Sequence, residues 1–241
     1  MFLPEILESN FSDSQLTKRN NYIYEFCKNT LDLKKRETDI FILLISGPSG
    51  SGKDSIVNLL PKEFQRIKTC TTRRRRPSEY KNDPYIRLTI NEFKKGIKKD
   101  EFLETNFYDG NYYGSKISEI KKIADKKVIP VLRIDPTGAK NVLTRMKENS
   151  NVLDKIRVLY FYITPPSKQL LRRRIFKRDV DFIKDEKKKE KATKKALDRI
   201  ENTLEKDLSL MKYSHFVVIN YENRLREVTK NIILTFKNYL R

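Results

Sequence analysis

The sequence predicts an α/β protein in which a parallel core sheet is covered by helices on both faces. Three observations predict it. Apolar runs rich in β-branched residues recur at 40–45, 128–134, 156–163 and 216–219. Stretches of helical periodicity lie between them with short connections, the pattern of parallel strands joined by crossover helices. The first run ends in Gly47-Pro48-Ser49-Gly50-Ser51-Gly52-Lys53, a glycine-rich loop between a strand and a helix.

That loop fits G-x-x-x-x-G-K up to its last letter. Glycines let the backbone curl so that successive N–H groups face phosphate oxygens. The helix that follows adds partial positive charge, and Lys53 reaches the β- and γ-phosphates. The spacing therefore predicts a nucleoside triphosphate site and, with the strand alternation, a P-loop NTPase fold of three α/β/α layers. The pattern ends in Ser or Thr, whose hydroxyl meets Mg²⁺. Here Asp54 stands there and Ser55 follows. An aspartate can meet the metal directly or through water, but it also brings negative charge towards phosphates.

The remaining elements follow in order. Residues 1–38 precede the first strand and are expected to form a helical extension. Asp13 would cap a helix carrying Leu16, Tyr22, Ile23, Phe26 and Cys27, and the polar run 34–39 would be a linker. The loop helix is expected over 55–60 and a short strand over 64–70. The loop from Thr71 holds four consecutive arginines, Arg73 to Arg76, which alone fit a solvated run, a weak nucleic-acid patch or a phosphate clamp. A helix over 91–98 would be capped by Asn91. Residues 101–107 and 112–115 read as a hairpin about the turn Asp109-Gly110-Asn111. Helices are expected at 115–124 and 138–147, with Asp135 at the C-terminal end of the strand between them, the edge where open α/β sheets bind ligands. Ser167 starts an arginine-rich helix. Residues 179–191 are charged and expected to be mobile, and helices follow at 192–211 and 223–240.

Composition bounds the partners. The 241 residues carry 52 basic and 32 acidic side chains, a net charge of +20. The lysines are spread along the chain, so the charge reads as a broad bias, and no specific nucleic-acid partner is expected. Cys27 and Cys70 are distant and His215 is the one histidine, which suggests neither a disulfide framework nor a zinc site. A reducing, cytoplasmic location is expected. The N-terminus lacks the charge and apolar stretch of a signal peptide, and no run approaches the roughly 20 residues needed to span a bilayer.

With these pieces in place the chain resembles guanylate kinase from about Ile40 to its end. The resemblance is carried by Gly-Pro-Ser-Gly-Ser-Gly-Lys at 47–53, Thr-Thr-Arg-x-x-Arg-Pro at 71–77 and Glu-Phe-Leu-Glu at 101–104. Further pieces are Gly-Asn-Tyr-Tyr-Gly-Ser at 110–115, Asp135, Pro-Pro-Ser at 165–167 and Val-Val-Ile-Asn at 217–220. It implies a guanylate-kinase-like domain over 39–241, with a small mixed β substrate-binding region at about 69–118 and a helical lid at about 174–199. It implies transfer of the ATP γ-phosphoryl group to GMP, giving ADP and GDP, with Mg²⁺ as cofactor and no membrane partner. Gly47, Pro48, Ser49, Gly50, Ser51, Gly52, Lys53, Asp54, Ser55 and Asn220 would bind ATP. Arg73, Arg76, Tyr85 and Tyr113 would hold the GMP phosphate, and Glu104, Thr69, Ser115 and Asp135 would meet the guanine edge. Lys53, Arg174, Arg178 and Arg199 would gather on the transferring group.

Several positions depart from the family pattern. Arg133 stands where the first aspartate of an Asp-Ile-Asp belongs, Thr69 replaces a serine, Tyr221 replaces an aspartate, and the lid is longer and more basic. We expect Asp54 and Arg133 to face each other as an ion pair, one exchange compensating the other. Gly-Lys-Asp-Ser also resembles the phosphate loop of ribose 1,5-bisphosphate phosphokinases, which supplies a rival acceptor. A catalytically impaired domain that binds a phosphorylated protein partner is the second alternative.

Overall fold

The structure is a computed structural model. It describes Leu7, Phe11 and residues 15–26, 38–75, 83, 85–108, 110–147 and 153–240. The strands are β1 (Leu16–Lys18), β2 (Ile23–Phe26), β3 (Ile40–Ser46), β4 (Phe64–Arg66), β5 (Thr69–Thr71), β6 (Tyr85–Arg87), β7 (Phe102–Tyr108), β8 (Asn111–Lys116), β9 (Ile129–Arg133), β10 (Ile156–Thr164) and β11 (Phe216–Ile219). The helices are α1 (Lys53–Asn58), α2 (Ile90–Lys98), α3 (Ile117–Ala124), α4 (Pro136–Met146), α5 (Lys168–Asp179), α6 (Glu186–Ser209) and α7 (Leu225–Leu240).

Seven strands form the main sheet in the order β1-β2-β11-β10-β3-β9-β4. The five from β11 to β4 are parallel, and the β1–β2 hairpin adds antiparallel to β11. Alternate side chains serve opposite layers, as the two-residue period of a strand requires. On β10, Val158, Tyr160 and Tyr162 pack with Ile120, Val142, Ile200 and Leu204 of the helices on one face. Leu159, Phe161 and Ile163 pack with Ile56 of α1 and with Val228, Ile232 and Phe236 of α7 on the other. The second sheet, β6-β5-β8-β7, mixes one parallel pair, β5 with β6, with two antiparallel pairs. The three-layer parallel core and the small mixed sheet match the expected fold class. Strands β9 and β10 flank β3 on opposite sides, so the crevice opens at the C-terminal edge of β3, where the loop sits.

Five local expectations need correction. The helix expected through Leu16, Tyr22, Ile23 and Phe26 is instead the β1–β2 hairpin. Asn20 accepts from the backbone N–H groups of Tyr22 and Ile23, at 2.9 and 3.1 Å, and turns the chain. All four residues of β2 are buried because the strand inserts between β1 and β11. The extension is thus part of the sheet. Asp13, Cys27 and the linker residues 34–37 lie outside the described residues. Second, the strand expected over 64–70 divides. β4 pairs with β9 in the main sheet, while β5 pairs with β6 and β8 in the small one. Third, Thr89 caps α2, not Asn91. It forms a capping box in which Thr89 accepts from the Glu92 amide and Glu92 accepts from the Thr89 amide. Fourth, α6 begins at Glu186 rather than 192, capped by Asp185, whose side chain accepts from the Lys188 amide at 2.8 Å. Lysine and glutamate are good helix formers, so the charged run extends the helix. Fifth, Ser115, expected to start a helix, lies within β8, which runs on to Lys116, and α3 begins at Ile117.

Candidate active site

The loop between β3 and α1 is shaped by glycine. At Gly47, with φ +141°, a Cβ would stand 2.0 Å from the Ile163 carbonyl oxygen. At Gly52, with φ +95°, it would stand 2.2 Å from Asn220 Nδ2. That same Nδ2 donates to the Ser51 carbonyl at 2.8 Å, so buried Asn220, just past β11, fixes the loop from the next strand but one. Lys53 is buried. Its ammonium donates to the Gly47 and Pro48 carbonyls, both at 2.7 Å, and lies 3.4 Å from Ser51 Oγ. Burial, and then the positive charge of Arg133, push its pKa down to about 7.

A cleft of about 390 Å³ opens over this loop, lined by Lys53, Asp54, Arg133, Arg174, Arg178 and Asn220 among others. Helix α5 supplies two of the arginines. Arg178 Nη2 donates to Ser49 Oγ at 3.1 Å, and Arg174 Nη2 to the Asn220 carbonyl at 3.1 Å. Arg174 Nη1 is buried with no hydrogen-bond partner among the described residues. Arg199 falls on α6, and its side chain lies outside the described residues. A larger cleft of about 810 Å³ adjoins this one across Tyr221 and Glu222, between the hairpin and α5, away from the loop lysine.

The expected ion pair is present: Arg133 Nη2 donates to Asp54 Oδ2. A second guanidinium, Arg66, lies with Nη1 3.5 Å from Asp54 Oδ1. Both oxygens of Asp54 are therefore committed to arginines. A divalent ion meeting Asp54 directly would replace one of these guanidinium groups, whereas one meeting it through water would not. Among the described residues no group of three or more His, Cys, Asp or Glu side chains could hold a metal. Arg66 was not singled out from the sequence. Its signal was its place at the end of a strand, at the same sheet edge as Arg133.

The small sheet gathers the second set. Buried Glu104 on β7 accepts from Ser115 Oγ on β8 at 2.8 Å. Burial first, and the nearby charge of Asp135, push the Glu104 pKa up to about 8, with the Ser115 hydrogen bond opposing the rise. Asp135 caps α4 by accepting from the Gly138 amide at 3.0 Å, which orients its carboxylate at the β9 edge. Thr69 stands opposite Tyr85 in the β5–β6 register. The Tyr85 and Tyr113 rings meet edge-on at 6.3 Å. The Arg73 guanidinium lies 5.4 Å from the centre of the Tyr85 ring. Arg76 lies outside the described residues. Two further residues order this loop and were missed. Arg87 Nη1 donates to the Arg73 carbonyl at 2.7 Å, and Arg87 grips Asp83 through two bonds at 2.9 and 2.8 Å. Those bonds, Arg87 foremost, hold the Asp83 carboxyl well below the usual carboxylate range. A lone arginine two residues from a tyrosine carries no sequence signal for this.

A parallel sheet with a lysine-bearing glycine loop at its C-terminal edge, arginines from the neighbouring helix and a second polar site on a small sheet defines a nucleotide phosphotransferase. The guanylate kinase family model matches residues 41–233. The guanylate kinase of Mesomycoplasma hyopneumoniae (strain 7448) is 41% identical over 141 residues, covering 57% of this chain and 70% of that protein. The guanylate kinase of Lactobacillus johnsonii is 28% identical over 206 residues, covering 77% of this chain and 97% of that protein. The crystal structure of guanylate kinase from Anaplasma phagocytophilum shares the fold, with a TM-score of 0.55 at 20% identity over 84% of this chain and 87% of that one. The chain belongs to the guanylate kinase family, whose members are ATP-dependent nucleoside monophosphate kinases.

Proposed function

We propose that the chain transfers the γ-phosphoryl group of ATP to GMP, giving ADP and GDP. The observation that carries the acceptor assignment is the buried Glu104 carboxyl bonded to Ser115 inside the small sheet. A carboxylate accepts two N–H bonds side by side from guanine N1 and N2, which adenine cannot offer, and a site built on such a buried pair discriminates strongly. Thr69, Ser115 and Asp135 complete the guanine edge. Arg73, Arg76, Tyr85 and Tyr113 hold the GMP phosphate.

ATP occupies the loop cleft as its Mg²⁺ complex, and Asp54 would meet that metal directly or through water. The loop from Gly47 to Ser55 and Asn220 positions the triphosphate, and Lys53 meets its β- and γ-oxygens. A GMP phosphate oxygen attacks the γ-phosphorus as the bond to the β–γ bridging oxygen breaks, and the electron pair leaves on ADP. The protein contributes position and charge neutralisation. Lys53, Arg174, Arg178 and Arg199 supply the latter. Residues 39–241 form the kinase unit. Its lid, about 174–199, closes over the reactants and excludes the water that would otherwise hydrolyse ATP. The reading includes a cytoplasmic location. Among the described residues, no helix is long and apolar enough to cross a membrane.

The test is a coupled assay of ADP release with ATP and Mg²⁺, offering GMP, dGMP, AMP, UMP and ribose 1,5-bisphosphate in parallel, with Lys53→Ala as control. GMP-dependent turnover that the control lacks supports the proposal. Turnover with the bisphosphate alone assigns a different acceptor. GMP binding without turnover assigns a binding module.

A further inference from the structure

We propose that Arg133 is a phosphate-binding residue of the donor site, held by Asp54 in the structure and transferred from that carboxylate to the triphosphate when nucleotide binds. The inference rests on the kinase reading above and adds to it a cation that the family pattern does not place there.

Position comes first. Arg133 ends β9 in register with Ile45, near the end of β3, and lines the same cleft as Lys53, Arg174 and Arg178. Charge is the second argument. One arginine would suffice to compensate Asp54, yet two face it, Arg133 and Arg66. The cleft itself is lined by four basic side chains, Lys53, Arg133, Arg174 and Arg178, against two carboxylates, Asp54 and Glu222, an excess of basic groups where a polyanion is expected.

Energetics decides which partner wins. The Asp54 side chain is 54% exposed and that of Arg133 28%. An ion pair so open to water contributes only about 0–1 kcal/mol to stability. Guanidinium–phosphate contacts are charge-assisted and bidentate, and roughly twice as strong as neutral hydrogen bonds. Asp54 makes the same charge-assisted kind of contact, but a triphosphate brings several negative charges against its one and so outcompetes Asp54 for Arg133 at small cost to the fold. The Arg133 guanidinium also has spare donor capacity, since its Nε is buried with no partner among the described residues. Asp54 then acts as a holder. It keeps the arginine beside the loop.

Because a protein cation supplies part of the neutralisation, donor binding should depend less on Mg²⁺ than a loop with a metal-binding hydroxyl would allow. The experiment is isothermal titration calorimetry of the non-hydrolysable analogue adenylyl-imidodiphosphate, in excess Mg²⁺ and in EDTA. It compares wild type with Arg133→Met, Arg133→Lys and Asp54→Asn, each checked for folding by circular dichroism. Wild type should keep most of its affinity in EDTA. Arg133→Met should lose about tenfold or more there, the size expected for a charged hydrogen bond, and less in Mg²⁺. Arg133→Lys should recover part of the loss, and Asp54→Asn should bind a few-fold tighter because the arginine is released. If Arg133→Met does not fold, Arg133→Lys and Asp54→Asn decide the matter by the same signs. Wild-type binding with Arg133 and Asp54 variants unchanged in both media overturns this inference and leaves the kinase reading standing. Failure of wild type to bind the analogue in either medium overturns both.

Discussion

Ser115 Oγ donates to Glu104 Oε1 across the β7–β8 hairpin, at 2.8 Å, within a site that leaves Glu104 6% exposed. Burial raises the Glu104 pKa to about 8, so at pH 7 the free protein holds it mostly as the acid. Guanine N–H donors require the carboxylate. GMP binding at pH 7 should therefore release close to one proton, read by calorimetry in buffers of different ionisation enthalpy. GMP affinity should rise about fivefold between pH 7 and pH 8 and level off above, a range in which the nucleotide phosphate (pKa about 6) no longer titrates. Glu104→Gln should bind weakly and without that slope. Stability of the unliganded protein runs the other way. The native state keeps a proton that the unfolded chain loses near pH 4.5, so this group lowers stability as pH rises from about 4.5 to about 8.

Lys53 predicts the opposite proton traffic. Its pKa is lowered to about 7 by burial and by Arg133, and phosphates favour the ammonium form. ATP binding at pH 8 should take up a proton while GMP binding at pH 7 gives one off. Lys53→Met should abolish that uptake and reduce turnover by a factor on the order of 10² to 10³, the loss typical of a preorganised donor on developing charge. In the free protein the native lysine is neutral between about pH 7 and 10.5 while the unfolded one is charged. Its contribution to stability therefore rises with pH over that window. Proton uptake that persists in Lys53→Met would assign it to another group.

The main sheet and the phosphate loop were legible because a buried parallel strand leaves an uninterrupted apolar run and the loop needs glycine at fixed places. Glu104 and Ser115 were legible through motif order alone, since no local pattern marks two residues that meet across a hairpin. The β1–β2 hairpin was not. Leu16, Tyr22, Ile23 and Phe26 suit a helix face by spacing, and their real environment, both faces covered beside β11, is set by tertiary pairing that short aromatic segments do not announce. The break between β4 and β5 was hidden for a similar reason: no Gly or Pro separates Arg66 from Thr69, and the chain changes sheets in ordinary extended backbone. Arg66 was missed with it. The Asp54–Arg133 pair was readable because two departures from a known pattern had opposite charge.

Gly52 and Asn220 should behave as a coupled pair. Gly52→Ala places a Cβ 2.2 Å from Asn220 Nδ2 at a φ of +95°, so it should destabilise the protein and weaken ATP binding. Asn220→Ala loses the 2.8 Å bond to the Ser51 carbonyl, expected to cost about 1–3 kcal/mol because a buried acceptor is left unpaired. In the double variant the clash is gone, leaving backbone strain of about 1–2 kcal/mol. Urea unfolding of the four proteins should therefore show a double variant clearly more stable than the sum of the single losses. Simple additivity would mean that the loop moves away from Asn220 and the side-chain contact does not limit it.

The hairpin predicts where stability resides outside the region the family model covers. Ile23 on β2 is fully buried in the same apolar cluster as Ile232 on α7. The backbone also ties the hairpin in: the Ile219 amide donates to the Tyr22 carbonyl at 2.8 Å, and the Phe26 amide to the His215 carbonyl at 3.1 Å. If the hairpin is a structural strand pair of the sheet, Ile23→Ala and Ile232→Ala should each cost about 2–5 kcal/mol. Both should act on one cooperative urea transition with an unchanged denaturant slope. Were the hairpin a detachable arm, Ile23→Ala would cost well under 1 kcal/mol on the scale of surface changes, and the amides of Ile23 and Phe26 would exchange with solvent by local opening far faster than those of β10.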